Sequence, residues 1–180
     1  MICCTGNILD YIGKADAICV TTNGFVTARG ANVMGRGIAK EMSNRYPDLP
    51  FILGRKIRQD GHKVHLLKAV QGTAIVAFPT KPASIVLQHE GQIVRPAQGK
   101  YEIGERVPGF HAKSDLNIIA ESCEQVAQLA NKCPEWKRIL LPIPGCGCGE
   151  LSVRYVYPVC ASRLDDRFIM VSFKSEDFKE

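Results

Sequence analysis

Two glycine-rich segments of the sequence have the composition of phosphate-binding loops. The longer one has glycine at every second position, and its residues are Gly145, Cys146, Gly147, Cys148 and Gly149. It follows an apolar, strand-like run and precedes a helical pattern that Ser152 is expected to cap. Glycine lets a ligand approach main-chain N–H groups closely, and successive N–H groups bind an anion. A tight strand-to-helix turn without a ligand is the alternative interpretation.

The second glycine segment begins a predicted helix over residues 34–46. Four side chains share one apolar face of this helix, and Pro47 ends it; the four are Met34, Ile38, Met42 and Tyr46. Gly35 and Gly37, on either side of Arg36, are poor helix formers at its start. This is understandable if the helix N-terminus faces a ligand. The two segments together predict a site for a phosphate or a diphosphate.

A lysine follows one of the predicted buried strands. Residues 73–78 form an apolar, strand-like run that continues as Pro79-Thr80-Lys81-Pro82. Because the prolines stiffen this exit, Lys81 is expected at the carboxyl end of a strand, where open α/β sheets bind ligands. A solvated surface lysine is the alternative, but the position of Lys81 favours a functional role.

The remaining patterns supply a scaffold for these segments. Residues 17–22 predict a central strand that ends at Asn23, residues 64–67 predict a further strand, and residues 168–173 predict the last one. A long amphipathic helix capped by Ser114 is expected to run to Lys132. The order of elements predicts an α/β fold whose mixed sheet has helices on both faces.

Residues 84–113 are the least regular part of the chain. Glycines and prolines divide this insertion into short pieces, and residues 85–87 and 92–94 could pair as a small hairpin. A lid, a contact arm and a disordered segment all remain open as its role. We expect residues 1–180 to form one domain that includes this insertion.

Composition narrows the class of protein. The chain has 180 residues, and its net charge of +5 weakly favours anionic ligands. Its eight cysteines lack zinc-site spacing and its four histidines are scattered, so we expect reduced thiols, no metal and no cofactor. No apolar run is long enough for a membrane helix or typical of a signal peptide. These patterns predict a cytoplasmic protein without a membrane partner.

Four motifs, in order and spacing, resemble a macro domain: residues 6–8, 15–23, 30–39 and 141–151. The resemblance covers nearly all of the chain except residues 84–113. The motifs best match the subgroup with a Met-Gly-(Lys/Arg)-Gly-Ile-Ala helix start, a Phe-Pro-Thr-Lys strand exit and a Gly-Cys-Gly loop. That subgroup includes terminal ADP-ribose protein glycohydrolases and antitoxins that remove ADP-ribose from DNA. The resemblance implies a three-layer α/β/α sandwich with a central mixed sheet.

The resemblance also implies a ligand, ADP-ribose, lying across the carboxyl ends of the strands. Adenine would lie beside Asn7 and Ile8, Asn23 would contact the distal ribose, and Lys81 would attack its anomeric carbon. The diphosphate would lie between the two glycine segments. Their implied binding residues are Gly35, Arg36, Gly37, Ile38, Gly145, Cys146, Gly147, Cys148 and Gly149.

The sequence departs from the glycohydrolase pattern at one position. Gly149 stands where those enzymes have an aspartate, and Glu150 is the neighbour that could replace it as the catalytic acid. The implied catalytic set is therefore Lys81, Asn23 and Glu150. A solvated carboxylate at a helix start is the alternative interpretation of Glu150.

Several functions fit this pattern. The first is a hydrolase that removes ADP-ribose from protein or nucleic acid, and the same pocket would accept ADP-ribose 1″-phosphate as a phosphatase substrate. The second is a non-catalytic ADP-ribose-binding module. Binding of unmodified nucleic acid is a weaker alternative, because no basic run or aromatic-rich strand supports it. The expected partner is ADP-ribose or an ADP-ribosylated macromolecule, bound by a monomer.

Overall fold

A central sheet organises the part of the chain that the computed structural model describes, residues 1–178. The last two residues of the predicted domain, 179 and 180, lie outside it. Among the described residues, six strands form this sheet: β1 (Ile2–Thr5), β2 (Ala17–Asn23), β3 (His65–Val70), β4 (Thr73–Lys81), β7 (Ile139–Pro142) and β8 (Phe168–Ser172). Their order is β1-β8-β7-β2-β4-β3, and only the β3–β4 pair is antiparallel. The five parallel strands therefore end at the same edge of the sheet.

Helices cover both faces of the sheet. They are α1 (Gly37–Arg45), α2 (Leu49–Asp60), α3 (Leu116–Lys132) and α4 (Val153–Ala161). Alternate residues of the central strand face opposite layers, because successive side chains of a strand point to opposite sides. Cys19 packs in the apolar cluster of α3 and α4, whereas Ile18 and Val20 pack in the cluster of α1 and α2. The predicted three-layer α/β/α sandwich with a mixed sheet is confirmed.

The sequence patterns missed or displaced several elements. Strand β1 and helix α2 were not predicted, and α1 begins at Gly37 rather than at residue 34. The cap of α3 is Asp115, not Ser114, since Asp115 Oδ1 accepts the N–H group of Asn117 at 2.7 Å. Ser152 caps α4 as predicted by accepting the N–H group of Arg154 at 3.3 Å.

Residues 84–113 form an ordered segment beside the sandwich, outside its central sheet. Strands β5 (Ser84–Val86) and β6 (Arg106–Pro108) pair antiparallel, so the predicted pairing with residues 92–94 is wrong. The segment has its own buried apolar cluster, consisting of Leu87, Ile93, Val94, Ala97 and Val107. Hydrophobic contacts inside the segment, rather than the local turn signals between residues 87 and 92, decide which strands pair.

Three features of the described residues bear on the expectations from composition. Within residues 1–178, no helix is both long and apolar enough to cross a membrane. The same residues hold no cluster of three or more His, Cys, Asp or Glu side chains arranged for a metal ion. All eight cysteines are free thiols, and the closest approach noted between two of them is 3.7 Å, between the buried sulfur atoms of Cys123 and Cys160.

Candidate functional site

The carboxyl ends of the parallel strands open into a cleft of about 720 Å³. A cleft at this edge is where open α/β sheets bind ligands, and its volume is typical of small-molecule sites. Every predicted binding residue lines it: Asn7, Ile8, Asn23, Gly35, Arg36, Gly37, Ile38, Gly145, Cys146, Gly147, Cys148 and Gly149. Lys81 lines it as well, but Glu150 does not. Residues more than 100 positions apart thus meet at one edge of the sheet.

The first glycine loop, residues 35–37, is open to the cleft. Gly37 has a φ of 56°, and a Cβ added there would meet no atom within 4 Å. A Cβ at Gly35 would meet only Val33 Cγ1, at 3.9 Å. The N-cap residue of α1, Arg36, makes no side-chain capping hydrogen bond. The first N–H groups of this helix therefore remain available to an anionic ligand.

The second glycine loop, residues 145–149, packs tightly against Ser114. A Cβ at Gly149 would overlap Ser114 Oγ and the carbonyl oxygen of Gly145, and one at Gly145 would lie 2.8 Å from Ser114 Cβ. At Gly147, by contrast, a Cβ would have no neighbour within 4 Å. The start of α3 thus supports this loop, while its middle residue faces open space.

Lys81 is buried in the wall of the cleft, with only 9% of its surface exposed. Its Nζ donates to the carbonyl oxygen of Cys148 at 3.0 Å and to that of Phe110 at 3.5 Å. Burial lowers the pKa of Lys81 to about 8, and the positive charge of Arg36 acts in the same direction. With that pKa, roughly a tenth of the amine is neutral at pH 7. The site therefore contains a lysine that can act as a nucleophile.

Both predicted asparagines support the walls of the cleft. Asn23, 8% exposed, donates from Nδ2 to the carbonyl oxygen of Val33 at 2.7 Å and accepts the N–H group of Phe25 at 2.9 Å. Asn7 Oδ1 accepts the N–H group of Leu9 at 3.1 Å. An asparagine has two donor hydrogens and two acceptor lone pairs, so each side chain retains hydrogen-bonding capacity for a ligand.

The structure does not bring the Glu150 carboxylate into the cleft. Glu150 has a φ of 59°, and its Oε1 accepts the N–H group of Arg95 at 2.8 Å. Its Oε2 lies 3.7 Å from Lys113 Nζ. Both partners belong to residues 84–113, so Glu150 ties the second glycine loop to that segment. The neighbouring position cannot supply an acid either, because a side chain at Gly149 has no space.

Three of the cleft residues that were not predicted lie at or just after the end of the 84–113 segment. They are Phe110, His111 and Ser114. Ser114 is 7% exposed, and its Oγ has no hydrogen-bond partner among the described residues. His111 Nδ1 lies 2.6 Å from the hydroxyl oxygen of Tyr101. Nothing in the sequence distinguishes this histidine from the other three, because its position depends on how the segment packs.

Comparison with known proteins finds similarity in structure. No protein-family model and no curated protein sequence matches the chain. The macrodomain of Thermus aquaticus DarG superposes with a TM-score of 0.65 at 18% identity, covering 94% of this chain and 95% of that one. The macrodomain of Mycobacterium tuberculosis DarG gives 0.63 at 18% identity, with 92% and 93% covered.

A third solved structure is larger than this chain. It is Thermosipho africanus DarTG in complex with ADP-ribose, with a TM-score of 0.64 and 16% identity. The match covers 94% of this chain but 41% of that one. These similarities extend over nearly the whole sequence, and they lie at an identity at which only the fold is shared.

Proposed function

From the macrodomain fold of this chain, we propose that the cleft binds ADP-ribose and that the protein hydrolyses the bond between a terminal ADP-ribose and the macromolecule carrying it. The ADP-ribose in the Thermosipho africanus DarTG structure supports this choice of ligand. The two glycine loops support it independently, since a diphosphate between them would meet main-chain N–H groups from both sides. Arg36, on the first loop, adds a positive charge at the cleft.

The proposed orientation follows from the residues at the two ends of the cleft. Asn7 and Ile8 follow β1, at one edge of the sheet, and would contact the adenine. Asn23 and Lys81 end the neighbouring strands β2 and β4 and would contact the distal ribose. The macromolecule would then leave the cleft on the side of the 84–113 segment.

The observation that carries the catalytic part of the proposal is the environment of Lys81. A buried amine with a pKa of about 8 is partly neutral at physiological pH. We assign the nucleophilic attack on the anomeric carbon C1″ to this amine. As the Nζ–C1″ bond forms, the bond from C1″ to the macromolecule breaks, and its electron pair leaves with the acceptor group. Water then hydrolyses the covalent adduct and frees ADP-ribose.

One observation favours the second candidate, a module that binds ADP-ribose without turnover. The predicted acid, Glu150, is occupied by Arg95 and Lys113 outside the cleft. On this alternative, Lys81 serves only as a positive charge beside the ligand. The two candidates share the binding site and differ in whether the bond at C1″ is broken.

An assay of ADP-ribose release separates the candidates. The protein is incubated with ADP-ribosylated protein, with ADP-ribosylated DNA and with ADP-ribose 1″-phosphate, and the products are resolved by chromatography. We expect release by the wild type and a loss of about 100-fold or more in Lys81→Ala. Lys63→Ala, which removes an exposed lysine that does not line the cleft, is the matched control.

Calorimetry with ADP-ribose tests the shared premise. Heat of binding without release from any substrate would favour the binding module. No heat and no thermal shift at millimolar ADP-ribose would overturn both candidates.

A further inference from the structure

The 84–113 segment contributes two aromatic rings to the cleft. Phe110 and His111 line the cavity next to Lys81, whose Nζ donates to the carbonyl oxygen of Phe110 at 3.5 Å. The His111 ring packs against the Phe110 ring, with centroids 4.6 Å apart and an interplanar angle of 67°. The segment therefore forms the wall of the cleft beside the amine.

Tyr101 fixes the orientation of His111. The phenol oxygen lies 2.6 Å from Nδ1 of the imidazole, and the two rings are 5.7 Å apart. Tyr101 in turn packs against the apolar cluster of the segment. Among the described residues, no hydrogen-bond partner is found for Nε2 of His111. A base at Nε2 requires the tautomer in which Nδ1–H donates to the tyrosine oxygen, which leaves the free lone pair on Nε2.

The surroundings favour the neutral form of His111. Partial burial is the main cause of its lowered pKa, and the positive charges of Lys100, Arg36 and Lys81 lower it further. A neutral imidazole can take a proton, whereas an imidazolium cannot. At neutral pH the ring is therefore in the state required of a base.

We propose that His111, oriented by Tyr101, is the general acid–base of the hydrolysis. The inference rests on the proposed function and assigns the role that Glu150 does not fill. When Lys81 attacks C1″, Nε2 of His111 takes the proton that Nζ sheds and passes it to the leaving group. When water attacks the adduct, Nε2 takes a proton from the water, whose oxygen bonds to C1″. As that C1″–O bond forms, the C1″–Nζ bond breaks with its electron pair on Nζ, which receives the proton from His111.

Another acidic residue of the cleft is less suited to this role. Asp177 lines the cavity, but its carboxylate accepts the hydroxyl of Ser172 at the end of β8. Two strands, β7 and β2, separate β8 from β4, the strand that ends in Lys81. The carboxylate is therefore engaged at another part of the strand edge, whereas His111 directly follows Phe110, a hydrogen-bond partner of Lys81.

The first test compares three variants in the release assay. We expect His111→Gln to lower kcat by about 100-fold or more, while the Kd of ADP-ribose changes by less than about threefold. Tyr101→Phe, which keeps the ring and removes the hydroxyl, is expected to lower kcat by about tenfold with little change in KM. His89→Gln removes an exposed histidine of the same segment that does not line the cleft, and it should retain wild-type turnover.

The second test uses the pH profile, and its Lys100→Gln part does not depend on the folding of His111→Gln. Lys100→Gln removes a positive charge that lowers the pKa of His111, so that pKa rises. Because Lys81 and His111 must both be neutral, the acidic limb of kcat/KM should contain two ionisations, of which the one at lower pH belongs to His111. That lower ionisation should move to higher pH in Lys100→Gln and be lost in His111→Gln, which leaves the single ionisation of Lys81. The pKa of His111, measured by NMR titration of the imidazole, should also rise in Lys100→Gln.

Each outcome has one interpretation. Release by the wild type, together with unchanged turnover and an unchanged acidic limb in both His111→Gln and Lys100→Gln, would overturn the role of His111 and leave the proposed hydrolysis intact. If the wild type binds ADP-ribose but releases none from any substrate, the hydrolysis and the role of His111 fail together.

Discussion

The two glycine loops of the cleft need glycine for different reasons. In the first loop, the chain itself leaves open space around Gly35 and Gly37. In the second, Gly145 and Gly149 press against Ser114 at the start of α3, and only the middle residue, Gly147, faces open space. Packing therefore accounts for two glycines of the second loop but for none of the first.

This difference identifies the glycines that are explained by ligand binding rather than by packing. A glycine that packing requires would be kept for stability whether or not the cleft binds anything. Gly35 and Gly147 have neither a left-handed φ nor a close neighbour, so nothing within the described structure excludes a side chain there. Close approach of a diphosphate to the backbone is a sufficient reason for glycine at both positions.

The largest expected effect is that of Gly149→Ala. The new Cβ would overlap both Ser114 Oγ and the carbonyl oxygen of Gly145. Backbone movement is required to relieve this overlap, so we expect unfolding in urea to show a loss of about 3 kcal/mol. Gly147→Ala in the same loop is the matched control and should unfold like the wild type. Equal stability of both variants would show that the second loop does not pack tightly against Ser114.

The second prediction concerns the positive charge of Lys81, whose Nζ donates to the carbonyl oxygen of Cys148 in the second loop. The folded-state pKa of Lys81, about 8, lies below its ordinary value of 10.5, so folding penalises the charged amine. The penalty is fully present below pH 8 and disappears as the pH rises to 10.5. Relative to Lys81→Met, which carries no charge, the wild type should therefore gain about 2–3 kcal/mol of stability between these pH values. A stability difference that does not vary with pH would show that the amine is solvated.

The third prediction separates ligand binding from folding. Gly35→Ala and Gly147→Ala place a methyl group in open space, so the melting temperature should change by less than about 2 °C. The same methyl groups would stand between the backbone and the diphosphate. We expect each variant to bind ADP-ribose about tenfold more weakly in calorimetry. Full affinity in both variants would contradict the diphosphate site.

The smallest expected effect is that of Gly37→Ala. Nothing lies within 4 Å of the new Cβ, but the φ of 56° is unfavourable for alanine. We expect a loss of about 1 kcal/mol in urea unfolding, which is the usual cost of a left-handed conformation. A loss as large as that in Gly149→Ala would mean that the first loop is also tightly packed.

Much of the scaffold was predictable because it depends on local patterns. The apolar run of residues 17–22 determined a buried strand, and the proline after Tyr46 marked the end of α1. Helix α2 was also readable in principle, since Leu49, Leu53 and Ile57 have the spacing of one helical face. Because α2 begins only two residues after Pro47, it was not recognised as a separate helix. Strand β1 (Ile-Cys-Cys-Thr) lacks the continuous aliphatic run that marked β7, although both strands have four residues.

Local sequence patterns could not predict the direction in which the site side chains point. Glu150 and Gly149 are adjacent in the sequence, yet a positive φ and a bond to Arg95, 55 residues away, turn the carboxylate out of the cleft. His111 enters the cleft because the 84–113 segment forms its own core and holds Tyr101 beside the imidazole. Such contacts between distant residues depend on packing.

The sequence by itself determined the α/β/α sandwich, both glycine loops and the lysine at the end of β4. Periodicity and backbone preference are encoded in neighbouring residues, which is why these features could be predicted. Only the tertiary structure decided that Lys81 is buried against Cys148, that Glu150 lies outside the cleft and that His111 lies inside it. Burial lowers a pKa and orients a side chain only after distant segments have packed together.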